Sequence, residues 1–206
     1  MLSFRDWWEN KIEDEELTPN SANKDLVHIA STLRVVINKK RLGLELPLSG
    51  YAIPNGEAKT RPPFSVKWIK DVLLKPGALD GLNPEARGIL LGMINTGYRP
   101  SEGAGLTRDQ IRLDHNIPHI SIEPVGRELK SKTSKRVIPL VGVSLEAFRA
   151  NPGGFPRYQA NSAGLSATVN KYLRERKLLE TPAHTLYGLR HSFEDRMLAA
   201  EVDERI

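Results

Sequence analysis

A chain of 206 residues is long enough for one large domain or two small ones, and 39% hydrophobic with 27% charged residues is ordinary for a globular protein in water. The absence of cysteine excludes disulfides, thiol catalysis and thiolate metal ligands, and suits a reducing compartment. No apolar run approaches the roughly 20 residues of a membrane-spanning helix, and Met1-Leu2-Ser3-Phe4-Arg5-Asp6-Trp7-Trp8 has no signal-peptide pattern.

In chain order, residues 1 to about 46 read as helical, with an acidic stretch from Asp6 to Glu16. Ser21-Ala22-Asn23-Lys24-Asp25 can start a helix whose apolar positions, Leu26, Ile29, Leu33, Val36 and Ile37, recur every three or four residues. Leu46 to Pro63 contains Pro47, Gly50, Pro54, Asn55, Gly56, Pro62 and Pro63 and reads as a linker. The domain boundary is placed there, giving 1–60 and 61–206.

Beyond the linker, Ser65 to Leu74 reads as a short helix. Asn83 is an expected N-cap, with Pro84 at the first helical position, where its missing N–H costs nothing. Ile89, Leu90, Met93 and Ile94 form the buried stripe of that helix, and Gly97 ends it. Thr107 can cap a further short helix. Ile117 to Ile122 and Arg136 to Leu140 are β-rich and flank a basic stretch, which predicts a hairpin with a cationic tip. Helices follow over about Ser144 to Arg149, Ser162 to Lys177 and Tyr187 to Ala200. The expected class is mainly α (α+β), a helical domain with a small antiparallel sheet, preceded by part of a second helical domain.

The net charge of +5 favours a polyanionic partner only weakly, because many unrelated domains are this basic. Its distribution says more. Arg127 to Arg136 holds five cations against Glu128, and Lys171, Arg174, Arg176 and Lys177 surround Glu175. Such clusters are the footprint of phosphate-backbone binding, or else a solvated charged face.

Three segments carry candidate chemistry. Asn95-Thr96-Gly97-Tyr98-Arg99-Pro100-Ser101-Glu102 puts an arginine in a turn just after a helix end. Taken alone, it is a surface arginine paired with Glu102. Lys130-Ser131-Lys132-Thr133-Ser134-Lys135-Arg136-Val137-Ile138-Pro139-Leu140 puts lysines on a hairpin tip, where charge ordinarily protects a sheet edge. Leu186-Tyr187-Gly188-Leu189-Arg190-His191-Ser192-Phe193 starts a helix whose buried face is marked by Leu189, Phe193 and Met197. Arg190 there could simply pair with Glu194 or Asp195.

In this order and spacing, the three segments over about residues 60 to 206 resemble the catalytic domain of the tyrosine recombinases, the phage-integrase family. The first 46 or so residues look like the tail of the helical core-binding domain that precedes it in such proteins. The resemblance implies site-specific DNA recombination or integration by metal-free phosphoryl transfer, with no cofactor. A tyrosine attacks a DNA phosphodiester, leaving a 3′-phosphotyrosine and a free 5′-hydroxyl.

The family's two arginines fall on Arg99 and Arg190. Two guanidiniums can clamp the non-bridging oxygens and stabilise transition-state charge. The family's hairpin lysine, a general acid toward the leaving oxygen, falls on Lys130, with Lys132 as rival. Arg127, Lys132, Lys135 and Arg136 are the expected DNA-backbone contacts. His191 matches the histidine after the second arginine, and Glu102 is an orienter of the first.

Two departures stand out. The family often has histidine three residues before the second arginine, where this chain has Tyr187; His184 is near but wrongly spaced. The family's nucleophilic tyrosine lies downstream of this helix, and Tyr51, Tyr98, Tyr158, Tyr172 and Tyr187 all lie before its end. The expectation is a fragment that holds a scissile phosphate without cutting it. It would be monomeric where the full-length protein works as a tetramer on double-stranded DNA, in a bacterial or phage-infected cytoplasm at the nucleoid, with no membrane partner. A non-catalytic DNA-binding module and a helical scaffold without nucleic acid are the competing readings.

Overall fold

A computed structural model describes residues 2–14, 16–45, 52–54, 61–123 and 135–202. The chain divides into two compact units, Met1–Thr60 and Arg61–Ile206.

The first unit has α1 (Leu2–Glu13) and α2 (Pro19–Lys40). Thr18 caps α2, its side chain accepting from the Ser21 amide at 3.2 Å, and Pro19 follows at the first helical position. The helix therefore begins ahead of the Ser21–Asp25 start expected from sequence, because Thr-Pro is the stronger cap. Trp8, Ala22 and Ile53 form a small core with Ile12, Leu17 and Leu26 packed against it. The Asn23 amide group brackets Ile53, donating to its carbonyl and accepting from its amide, both at 2.8 Å. Of the expected apolar positions of α2, Leu33 and Val36 are exposed. Two helices and one strap bury only the first half of a 22-residue helix.

The second unit is built around α4 (Pro84–Thr96), with Ile89, Leu90 and Met93 fully buried and Ile94 nearly so. Asn83 caps it through the Ala86 amide and Gly97 ends it at φ +60°, as the sequence predicts. α6 (Gly142–Ala150), α7 (Ser162–Glu175) and α8 (Gly188–Ala199) pack against α4, and α5 (Pro100–Ala104) follows its end. The expected helix over 65–74 is one turn of α3 (Val66–Trp68) continued as a wider π turn over Ile69–Leu73. Thr107 caps a 3₁₀ turn, Arg108–Gln110.

The sheet has β1 (Ile111–Arg112), β2 (His119–Ile122) and β3 (Arg136–Pro139), antiparallel and in that order. β1 is too short to leave a period in the sequence. Ile120 pairs with Ile138 and points into the core, while Val137 faces solvent, the alternation a one-sided sheet requires. β2 and β3 are the two arms of the expected hairpin; Arg127, Lys130 and Lys132 on its tip lie outside the described residues. On α8, Leu189 is buried, but Phe193 and Met197 are only half-buried.

Candidate functional site

The turn after α4 is held from below by Tyr98. Its ring is fully buried in a slot between Gly92 and Gly103, and its hydroxyl donates to the Ile89 carbonyl at 2.8 Å. A Cβ on Gly92 would lie 3.0 Å from Tyr98 Cζ, and one on Gly103 2.7 Å from the same atom. The anchored ring fixes the backbone that presents the next residue, Arg99.

Arg99 is the N-cap of α5, with Pro100 at the first helical position. Its own amide donates to Glu102 Oε2 at 2.8 Å, and its guanidinium Nη1 donates to Glu102 Oε1 at 2.7 Å. From β3, Arg136 reaches the same carboxylate with both terminal nitrogens, Nη2 to Oε2 at 2.7 Å and Nη1 to Oε1 at 3.3 Å. Glu102 is therefore a buried carboxylate clasped by two arginines, with its side chain 6% exposed. The surface pair anticipated from sequence is in fact an interior one. Arg136, anticipated as a DNA-backbone contact, directs its guanidinium inward.

Burial raises the pKa of Glu102, but the Arg136 hydrogen bond, the Arg99 amide and the two positive charges outweigh it and bring the pKa down to about 2 from 4.5. Burial likewise works against the Arg99 charge, and Glu102 and Tyr187 more than offset it, so its pKa stands above the ordinary value. A carboxylate with a depressed folded pKa gives stability that is fully present above pH 4.5 and lost as pH falls through about 2. At about 1.4 kcal/mol per pKa unit, that amounts to about 3 kcal/mol. Urea midpoints measured from pH 5 to pH 2 should show this loss in the natural chain and not in Glu102→Gln. An unchanged pH dependence in the variant would contradict the assignment.

Arg190 enters from the first turn of α8, where Leu189 buries the helix against the core. Its Nη1 donates to the Gly97 carbonyl at 2.6 Å, and its Nη2 pairs with Glu194 Oε1 at 2.8 Å. Of the two acids anticipated as its partner, Glu194 is therefore the one used. His191 Nδ1 meets the other oxygen of Glu194 at 3.0 Å. Phe193, also on α8, sits on Gly97. The residues around Arg99 and Arg190 are thus drawn together through Gly97.

Tyr187 joins them a second way. It raises the pKa of Arg99, its ring lies edge-to-face with His191 at 5.2 Å between centroids, and the Arg61 guanidinium lies over it at 5.3 Å. The structure thus gathers Arg99, Glu102, Arg136, Tyr187, Arg190 and His191. Arg61 was missed as a member, since a linker arginine carries no local signal. Among the described residues the cluster holds four arginines and two glutamates, so it favours an anion.

Lys135 stands apart, 68% exposed and 3.8 Å from Glu123. His184 is a packing residue. Its Nε2 donates to the Pro63 carbonyl at 3.0 Å while Nδ1 accepts from the Thr181 amide at 3.1 Å. Among the described residues, no group of three or more His, Asp or Glu side chains is placed to hold a metal ion. None of the described helices is long and apolar enough to cross a membrane.

No known protein-family model matches the chain, and no curated protein matches it. Solved structures do. The Tn1549 transposon integrase in complex with transposon right end DNA is 16% identical, aligned over 98% of this chain and 74% of that one, with a TM-score of 0.62. XerA recombinase is 15% identical over 91% of this chain and 71% of that one, at 0.53. The integrase from mycobacterium phage Brujita is 17% identical over 77% of this chain and 52% of that one, also at 0.53. At such low identity the agreement is one of backbone, and it spans nearly the whole of this sequence. The chain has the fold of the tyrosine recombinases, the integrase fold.

Proposed function

We propose that this chain binds double-stranded DNA and holds a scissile phosphate for site-specific recombination by phosphoryl transfer through a 3′-phosphotyrosine. The observation that carries the reading is Arg190 donating to the Gly97 carbonyl, two residues before Arg99. Arginines from two distant segments are thereby gathered around one turn in a cationic cluster. Their guanidiniums clamp the non-bridging oxygens and stabilise the charge of the pentavalent transition state. Arg190 now spends one nitrogen on Glu194, and a phosphate takes that place. Lys130 or Lys132 on the hairpin protonates the leaving 5′ oxygen. Lys135 and Arg127 contact the DNA backbone, and His191 and Tyr187 donate to the phosphate. In this reading residues 1–60 belong to a core-binding domain and 61–206 to the catalytic one.

In this reading none of the four described tyrosines is the nucleophile, and Tyr51 lies outside the described residues. Tyr98 is committed to Ile89, Tyr172 donates to the Ala78 carbonyl at 2.8 Å, and Tyr158 accepts from Asn83 at 2.8 Å. Tyr187 is flanked by Arg61 and His191.

Fluorescence anisotropy with a labelled duplex tests the reading. Binding is expected at low salt and should weaken steeply as salt rises, because backbone contacts release counterions. No binding at low salt would leave only a helical scaffold. A nicked suicide substrate should give no covalent adduct with this chain. An adduct abolished by Tyr187→Phe would make Tyr187 the nucleophile and overturn the assignment.

A further inference from the structure

We propose that Arg136 is a positioning residue that holds Arg99 in its phosphate-binding pose through Glu102, and so couples the hairpin to the clamp. The functional part of this inference rests on the DNA reading above; the structural part does not.

The geometry separates Arg136 from its neighbour. Lys135 projects from the start of the hairpin arm with most of its side chain in solvent, whereas the Arg136 side chain is 27% exposed and ends on a nearly buried carboxylate. Arg136 sits opposite Ile122 in the β2–β3 register, at the last described pair before the tip. Its backbone therefore moves with the hairpin, while its guanidinium binds the residue that binds Arg99.

Glu102 shares its oxygens unequally. Oε1 takes Arg99 Nη1 at 2.7 Å and Arg136 Nη1 at 3.3 Å, while Oε2 takes the Arg99 amide at 2.8 Å and Arg136 Nη2 at 2.7 Å. The Arg136 fork spans both oxygens and so fixes the plane of the carboxylate. That plane in turn fixes the direction in which Oε1 pulls the Arg99 guanidinium. Without Arg136 the carboxylate would keep its two bonds from Arg99 and lose the second arginine that sets them against β3. Lysine at 136 would keep the charge but lose the fork, and with it the orientation. A cation on the hairpin that merely touched DNA would need none of this.

The test has two arms. In the first, carboxyl and arginine side-chain NMR signals are followed in the natural chain, Arg136→Ala and Arg136→Lys, with the unfolding temperature as a control for folding. The Glu102 carboxyl should titrate at higher pH in Arg136→Ala, and the Arg99 Nε–H signal should move in both variants. If the Arg99 signal stays put while Arg136 is removed, the inference fails, whatever the protein binds.

The second arm is a double-mutant cycle read by duplex DNA affinity. Arg136→Ala should weaken binding about fivefold in the natural background and less than about twofold when Arg99 is already alanine, because residues acting through one another are not additive. Equal factors in both backgrounds would show an independent DNA contact and overturn the inference. If Arg99→Ala leaves DNA affinity unchanged, the DNA reading itself fails, and the NMR arm alone decides the role of Arg136.

Discussion

Gly97→Ala should lower the unfolding free energy of the chain by about 3 kcal/mol. Gly97 holds φ at +60°, a conformation that costs an L-residue roughly 1–2 kcal/mol. Its Cβ would also stand 2.8 Å from Phe193 Cγ and 3.0 Å from Cε1, and such overpacking adds roughly 1–3 kcal/mol. Phe193 is half-buried and can yield, but only by lifting away from the turn that Arg190 also grips. The damage therefore extends to the cluster, with Arg190 losing its geometry to the Gly97 carbonyl. Urea denaturation gives the stability. A change within about 0.5 kcal/mol, the range of ordinary surface substitutions, would mean that Phe193 does not lean on Gly97.

Arg190→Ala should weaken duplex binding at low salt by roughly tenfold to a hundredfold, the equivalent of one lost charge-assisted contact. The substitution removes the donor to Gly97 and leaves Glu194 paired with His191 alone, so a negative charge then faces the phosphate position. Arg190→Lys separates shape from charge. Lysine restores the cation but cannot reach Gly97 and an anion together as a rigid planar fork does. Anisotropy titrations should show only partial recovery. Complete recovery by lysine would mean that Arg190 acts as a point charge and that the clamp geometry is wrong.

Much of the fold was legible because its signals are local. Asn83-Pro84 and Gly97 mark both ends of α4, and the structure uses Asn83 and Gly97 as caps with Pro84 at the first helical position. The stripe Ile89, Leu90, Met93, Ile94 is buried as its spacing requires. The arms of the hairpin were visible in their β-branched runs. The start of α2 at Thr18-Pro19 was legible in principle, but Ser21-Ala22-Asn23 offered a competing cap. The π turn over Ile69–Leu73 left no trace, since a wider turn shifts the helical face without altering composition.

The site was legible one residue at a time, and its connections were not. Arg99, Glu102, Tyr187, Arg190 and His191 stand in recognisable motifs. Nothing in Arg99-Pro100-Ser101-Glu102 reveals that Glu102 is buried, because its burial depends on a second arginine arriving from β3. Arg136 read as a surface cation because it lies in a basic run. Glu194 as a shared partner of Arg190 and His191 follows from helical spacing, but choosing it over Asp195 needed the direction in which α8 faces.

One arrangement governs how the molecule comes into being during synthesis. The start of the second unit is tied to its far end: the Ser65 amide donates to Glu180 at 2.8 Å, and the Pro63 carbonyl accepts from His184. α8 closes over α4, with Arg196 donating to the Ile94 carbonyl and Arg190 to that of Gly97. A ribosome delivers α4 and the hairpin long before it delivers α8. Until α8 emerges, the nascent chain carries an uncovered apolar face on its central helix, and contacts this distant in sequence are slow to close. The Gly97 turn therefore gains its contact with Arg190 only once α8 has been made, by the same step that covers this side of α4.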